Sequence, residues 1–380
     1  MDTAATSQCL YTVIEDQHDF NTNHKSNAHR SGHSMGTWVD QKYYQAKEKI
    51  GEFLSIDNPH ERIIFNSGSS QGLADAVDMI TCLYPEATIY VGIDSHHSLL
   101  LPLIELANES DNYKIKYIGL TESKHLDLDN LELELSKDNK PKIIAITAIS
   151  NVLGMVNDLD RIKQLSQTYH AVSILDASQI VGKREVKLDG FDFVTFSWHK
   201  VYGPSGLGTL IIDKRWTTAP VMRPAGGTVT HVTLSEVGFV DNAARFEPGT
   251  QNLSAIVTIP RLAQWLIDNI KDVEQHDNSI ATLTASHVSN TQFKKISNSE
   301  SGLLSLVPLA GAAEDYAYML DASNVMIRSG KLCAEPLVRE LTDHTNLIRL
   351  SWGCYTSNND IEITFDKLGQ IYEKLRRNIR

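Results

Sequence analysis

Three short apolar runs end in residues able to do chemistry. Val172-Ser173-Ile174-Leu175 leads into Asp176, with Gln179 shortly after, and Phe193-Val194-Thr195-Phe196 leads into Ser197-Trp198-His199-Lys200. A third run precedes Asn66-Ser67-Gly68-Ser69-Ser70-Gln71-Gly72, a Gly/Ser turn that opens a helical pattern. The free N–H groups and positive dipole end of such a helix suit a phosphate. No Gly-Lys-Ser/Thr follows, so this is not a Walker loop, and Gly203-Pro204-Ser205-Gly206-Leu207-Gly208 precedes a strand instead of opening a helix, which excludes a dinucleotide fingerprint. Taken singly, the turn is an N-cap and the lysine a snorkelling surface residue. Taken together they are a phosphate anchor, a carboxylate for a ring nitrogen and an amine for a Schiff base. Those are the parts needed to hold pyridoxal 5′-phosphate.

These residues act together only if strands deliver them to one edge. From about residue 60 to 215, β-branched runs at 62–65, 88–91, 114–118, 142–146, 172–175, 193–196 and 209–212 alternate with helical spacing over 71–83, 97–107, 126–135 and 158–169. Crossovers of that length join parallel strands, so the reading is an α/β fold with a mostly parallel seven-stranded sheet in a large domain. Ligands collect beyond the carboxyl ends of such strands, where Asp176 and Lys200 stand. An amphipathic stretch over 259–270 and a charged one over 361–380 predict a smaller C-terminal α+β domain. The boundary falls near 260, giving 1–260 and 261–380, and the Ser/Asn-rich stretch 290–302 reads as a surface loop.

Composition bounds the function. The 380 residues are 42% hydrophobic and 22% charged, which describes a folded globular chain. The net charge of −12 has the wrong sign for a nucleic-acid partner. Cys9, Cys82, Cys333 and Cys354 lie far apart with no C-x-x-C, which predicts reduced thiols. The opening residues have no signal-peptide character and no apolar run is long enough to span a membrane, so a cytoplasmic location is expected. His29 and His33 lack a third ligand, and no metal site is expected.

The residues resemble those of the class V, fold-type I pyridoxal-phosphate enzymes, and within them the group II cysteine desulfurases and selenocysteine lyases. Asp2-Thr3-Ala4-Ala5-Thr6 resembles the family's D-x-A-A-T, and Asn27 to His33 its N-x-H-R-x-x-H. Ser69-Ser70 stands in place of a G-T-T phosphate turn and His96-His97 in place of E-H-H. Ser150 to Gly154 is similar to S-N-V-L-G, Leu175 to Gln179 to V-D-G-A-Q, and Ser197 to Pro204 to S-G-H-K-x-Y-G-P. Arg245 to Asn252 resembles R-F-E-x-G-T-x-N, and Arg328 to Pro336 resembles R-x-G-x-x-C-A-x-P. The ordered matches run nearly end to end.

Carried over by position, the resemblance implies that Lys200 bonds the cofactor and later moves the substrate's α-proton. Burial in a cationic site would keep its amine neutral. It implies that Asp176 faces the pyridine nitrogen, Gln179 bonds the ring O3′, and His96 stacks on the ring. Ser69, Ser70, Ser197 and His199 would hold the phosphate. Thr228 would serve the neighbouring subunit's site, which implies a homodimer with shared active sites. Arg349 would bind the substrate α-carboxylate through its guanidinium fork, with Arg328, Asn151 and His33 assisting. Cys333 would attack the substrate sulfur, giving alanine and a persulfide for a sulfur-acceptor protein, with Lys331 and Arg328 supplying the positive charge a thiolate needs. The N-terminal arm, about 1–20, would pack on the small domain.

Three departures from the family pattern bear on the substrate pocket. Trp198 replaces a glycine beside Lys200, Ser95 stands where a glutamate precedes His96, and Lys331-Leu332 replaces a histidine-bearing pair. The indole is expected to reshape the pocket. The leading expectation is a cysteine desulfurase acting on L-cysteine or a close analogue. Its alternatives are another class V activity (amino-acid epimerase, β-lyase or aminotransferase) with Cys333 a relic, or an inactive binding protein on the same scaffold.

Overall fold

Seven short runs pair into one sheet, and most of them are apolar on both faces because helices cover both sides. They are β1 (Ile63–Asn66), β2 (Ala87–Gly92), β3 (Tyr113–Ile118), β4 (Lys142–Thr147), β5 (Val172–Asp176), β6 (Phe193–Ser197) and β7 (Gly208–Ile212). The order is β1-β7-β6-β5-β4-β2-β3. Every residue of β2, β5, β6 and β7 is buried, whereas the edge strand β3 exposes Lys114. β7 runs antiparallel to both β1 and β6; the other pairings are parallel. The Gly/Pro turn between β6 and β7 is too short for a crossover, which is why this strand reverses. The computed structural model describes residues 1–29, 31–221, 226–297, 301–342 and 345–377. Arg30 of the Asn27–His33 motif, 298–300 of the expected loop and 378–380 of the terminal helix lie outside them.

One face of the sheet is covered by the helices Ser69–Leu83 and His97–Glu109 through Leu73, Ile80, Leu99 and Leu103. The opposite face carries Ser34–Leu54, Leu128–Lys137, Leu159–Thr168 and the start of Ile259–His287. A hairpin of β8 (Val229–Val232) and β9 (Val237–Phe239) stands apart. The small sheet holds β10 (Phe293–Lys295), β11 (Leu303–Pro308), β12 (Arg328–Gly330) and β13 (Leu347–Ser351) in the order β10-β11-β13-β12, all antiparallel.

The long helix Ile259–His287 serves both cores. Leu262 and Leu266 pack with the large domain and Ile280 with the small one. It continues 17 residues past the predicted 259–270 because its inner face turns polar without ending: Asp277 is buried there, paired with Arg184 at 3.2 Å and accepting Gly302 N–H at 3.1 Å. The N-terminal residues divide likewise. Asp2 bridges to Ser351 of the small sheet, while Ser7 and Leu10 bond the backbone of His199 and Tyr202 in the large domain. Among the described residues no helix is long and apolar enough to cross a membrane.

Candidate active site

Asn66 closes β1 and turns the chain into the helix Ser69–Leu83. Gly68 sits at φ 152°, in the region that favours glycine, and a Cβ on Gly208 would lie 2.5 Å from the Gly68 Cα. This close approach brings the helix start against the end of β6. Ser69 N–H donates to Ser197 Oγ at 2.7 Å, and Ser197 Oγ donates to Ser69 Oγ at 3.0 Å. Ser70 Oγ lies 2.8 Å from Ser98 Oγ, itself 3.0 Å from His96 Nδ1. A cleft of ≈ 450 Å³ opens over these groups, lined also by Asp176, His199 and Lys200.

Asp176 ends β5 and is 5% exposed; its Oδ1 accepts Ser178 N–H at 3.0 Å. Burial holds the Lys200 amine below its ordinary range, against the nearby Asp176 and Cys333 and with the help of Arg349 and Arg328. Burial likewise lowers His96 to about 4, opposed by Asp176 and assisted by Lys200, His97 and Arg349. His199 is lowered by burial and by Lys200. Gln179 is buried, donating to Ala4 O at 2.8 Å and accepting from Lys183 Nζ at 3.1 Å, which leaves one amide N–H.

Small-domain residues stand close enough to bear on the Lys200 amine. Cys333 is exposed, and its carbonyl accepts His97 N–H at 2.7 Å. Asn151 Nδ2 donates to Leu332 O at 2.7 Å, so the asparagine expected at the substrate anchors the cysteine loop, while its Oδ1 is buried without a partner. Arg349 is 2% exposed; Nη1 donates to Asn151 O at 3.2 Å and Nη2 to Asp2 Oδ1 at 3.1 Å. Arg328 Nη2 donates to Asp2 Oδ2 at 3.0 Å.

Two expected site residues stand elsewhere in this chain. His33 caps the helix Ser34–Leu54, its Nδ1 accepting Gly36 N–H at 3.2 Å. Thr228 is buried beside Arg245 and Phe246, lining a cavity that does not include Lys200. The expected effect of Trp198 is corrected: the indole is fully buried in the large-domain core, Nε1 donating to Thr209 Oγ1 at 2.9 Å, and it does not line the cleft. The 3₁₀ turn Trp198–Lys200 sends consecutive side chains to different sides, so the indole packs inward while His199 and Lys200 face the cleft. Ser95 is fully buried, its hydroxyl without a partner. Asp2 and His97 lie inside family-like motifs, but neither residue type signals chemistry there until its partners are seen beside it.

The aminotransferase class-V family model matches residues 1–364. A probable cysteine desulfurase of Halalkalibacterium halodurans is 28% identical over 95% of this chain and 90% of its own length. The cysteine desulfurase CsdA of Escherichia coli is 26% identical over 99% of this chain and 94% of its own. The apo structure of a cysteine desulfurase from Thermococcus onnurineus superposes with a TM-score of 0.90 at 24% identity, covering 99% of this chain and 94% of that one. The shared architecture is fold-type I. The donor set fits the pyridoxal phosphate that this architecture carries. Hydroxyls of Ser69, Ser70 and Ser197 and a helix N-terminus line the cleft together with a buried carboxylate and an amine that burial holds below its ordinary range.

Proposed function

The chain belongs to the class-V aminotransferases, a pyridoxal-phosphate-dependent family, and from that premise we propose that it is a cysteine desulfurase that moves sulfur from L-cysteine to Cys333. The observation that carries this reading is the seat of Cys333. Its carbonyl accepts His97 N–H, next to His96, which lines the cleft with Lys200 and Asp176, and its charge bears on the Lys200 amine.

Ser69, Ser70, Ser197 and His199 would hold the phosphate, with Ser69 and Ser197 already bonded to each other. Asp176 would keep the ring nitrogen protonated, His96 would stack on the ring, and the one amide N–H left on Gln179 would be free for the ring hydroxyl. The bound cofactor supplies an electron sink conjugated to the substrate's α-carbon. Arg349 binds the α-carboxylate. Lys200, lowered by burial, is the base that takes the α-proton. Cys333 then attacks the substrate Sγ as a thiolate: the S–S bond forms, the Cβ–Sγ bond breaks, and its electron pair stays with carbon. That carbon takes a proton, so L-cysteine and the Cys333 thiol become L-alanine and a Cys333 persulfide. The exposure of Cys333 leaves the persulfide open to an acceptor protein.

Thr228, which lines a cavity separate from the Lys200 cleft of its own chain, serves the site of a second copy in a homodimer. Four free cysteines suit a reducing cytoplasm. The test is a visible spectrum of the purified protein before and after L-cysteine, with alanine and sulfide assayed in the same tube. A yellow band that shifts as alanine forms, with alanine formation lost in Cys333→Ser while the band remains, supports desulfuration. Unchanged turnover of Cys333→Ser, or a band indifferent to cysteine, transfers the assignment to another class V activity.

A further inference from the structure

Arg328 and Arg349 are directly opposite one another in the antiparallel pair β12–β13. Like charges in that register repel. The Asp2 carboxylate lies between them, accepting from Arg349 Nη2 at 3.1 Å and from Arg328 Nη2 and Nε at 3.0 and 3.2 Å. It is delivered by fastened backbone: Ser351 N–H donates to Met1 O at 2.9 Å and Ala4 N–H to Ser351 Oγ at 2.9 Å.

The bonding of Arg349 is lopsided. Nη1 is taken by Asn151 O and Nη2 by Asp2, while the buried Nε has no partner. A guanidinium N–H left unpaired in the interior is costly, and a carboxylate is its best-matched acceptor. Two cations face one protein carboxylate here, so the site has room in charge for one further carboxylate.

We propose that Asp2 is a positioning residue for the substrate: its carboxylate clamps Arg328 to Arg349 and holds the Arg349 guanidinium so that the Nε–H, which has no partner within the chain, is left for the α-carboxylate. Asp2 stays bonded while the amino acid binds, and does not compete with it. This inference rests on the reading of Arg349 as the carboxylate-binding residue.

The test compares holoenzyme of wild type, Asp2→Ala, Asp2→Glu and Arg349→Lys. Turnover of L-cysteine is measured, and L-alanine and ethylamine, which lacks the carboxylate, are titrated against the cofactor absorbance. The expected result for Asp2→Ala is about a tenfold rise in KM for cysteine and in Kd for L-alanine, with kcat within about threefold and ethylamine binding unchanged. Asp2→Glu restores part of the loss. The ethylamine titration also reports that the variant site is folded. If Arg349→Lys weakens L-alanine relative to ethylamine but Asp2→Ala binds L-alanine as wild type does, or more tightly, the role of Asp2 fails alone. If Arg349→Lys leaves that ratio unchanged, the reading of Arg349 fails and the role of Asp2 falls with it.

Discussion

The backbone carbonyl of Cys333 accepts the N–H of His97 at 2.7 Å, joining the small domain's thiol loop to the helix that starts beside His96. Leu332 and Cys333 both have positive φ, 56° and 52°, a conformation that L-residues adopt only when their surroundings impose it. Here the imposing bonds are those of His97 N–H, of Asn151 Nδ2 to Leu332 O, and of Glu335 N–H to His97 Nε2 at 3.1 Å. The loop that carries Cys333 is thus held by large-domain residues.

Removing one of those bonds should misplace the sulfur without disturbing the cofactor. Asn151→Ala is expected to lower kcat for desulfuration about tenfold, with KM for cysteine nearly constant and the cofactor band intact. Steady-state kinetics with a persulfide assay checks this. A rise in KM at constant kcat would return Asn151 to direct substrate binding.

Asp176 contributes charge, and its removal separates holding from turnover. In Asp176→Ala the phosphate seat at Ser69, Ser70 and Ser197 is untouched, so the cofactor Kd should change by less than about tenfold. Turnover should fall about a hundredfold or more, because the ring nitrogen loses the group that keeps it protonated. Fluorescence titration of the cofactor and alanine formation, measured on the same preparation, test both halves.

Much of this arrangement was legible in the sequence, for a physical reason. Strands buried on both faces read as continuous β-branched runs, and β1 to β7 begin and end within a residue or so of the runs that predict them. Asp176 and Lys200 follow two of those runs directly, so their arrival at one edge was a consequence of the topology. The less legible parts depend on partners far away in the chain. The helix 259–287 passes through buried Asp277, whose polarity hides a core-facing position until Arg184 and Gly302 are seen beside it. The Asp2 clamp joins residues more than 300 positions apart, and the inward turn of Trp198 follows from a 3₁₀ turn that no periodicity announces.

His96 gives a pH signature. Its folded pKa, about 4, lies below the ordinary histidine value, so between those limits the unfolded chain binds a proton that the folded chain does not. Stability is therefore full near neutral pH and falls as pH drops through 6.5 toward 4, at a rate approaching about 1.4 kcal/mol per unit. Buried Asp94, raised to about 6, works in the opposite sense between 3.8 and 6. Comparison with His96→Gln cancels that shared contribution. Urea unfolding of the cofactor-free proteins from pH 7 to 4.5 should show wild type losing stability faster than the variant; parallel profiles would refute the assignment.

Glu247 provides the last test, on the support beneath the phosphate turn. Its Oε1 lies 3.0 Å from Lys47 Nζ and accepts Phe65 N–H of β1 at 2.7 Å, while Oε2 accepts the Tyr43 hydroxyl. Lys47 and Glu247 are 1% and 5% exposed, and burial pulls the lysine below its ordinary range against the attraction of the glutamate. A buried pair of this kind adds little net stability over an apolar pair, yet losing one partner strands the other charge. Glu247→Ala should therefore destabilise the fold by about 3–5 kcal/mol, seen as a lower urea midpoint. Lys47→Met added to Glu247→Ala should recover part of that loss, because no unpaired cation remains. If the double variant is no more stable than Glu247→Ala, the cost lies in the lost anchors of Phe65 and Tyr43 and not in the stranded charge of Lys47.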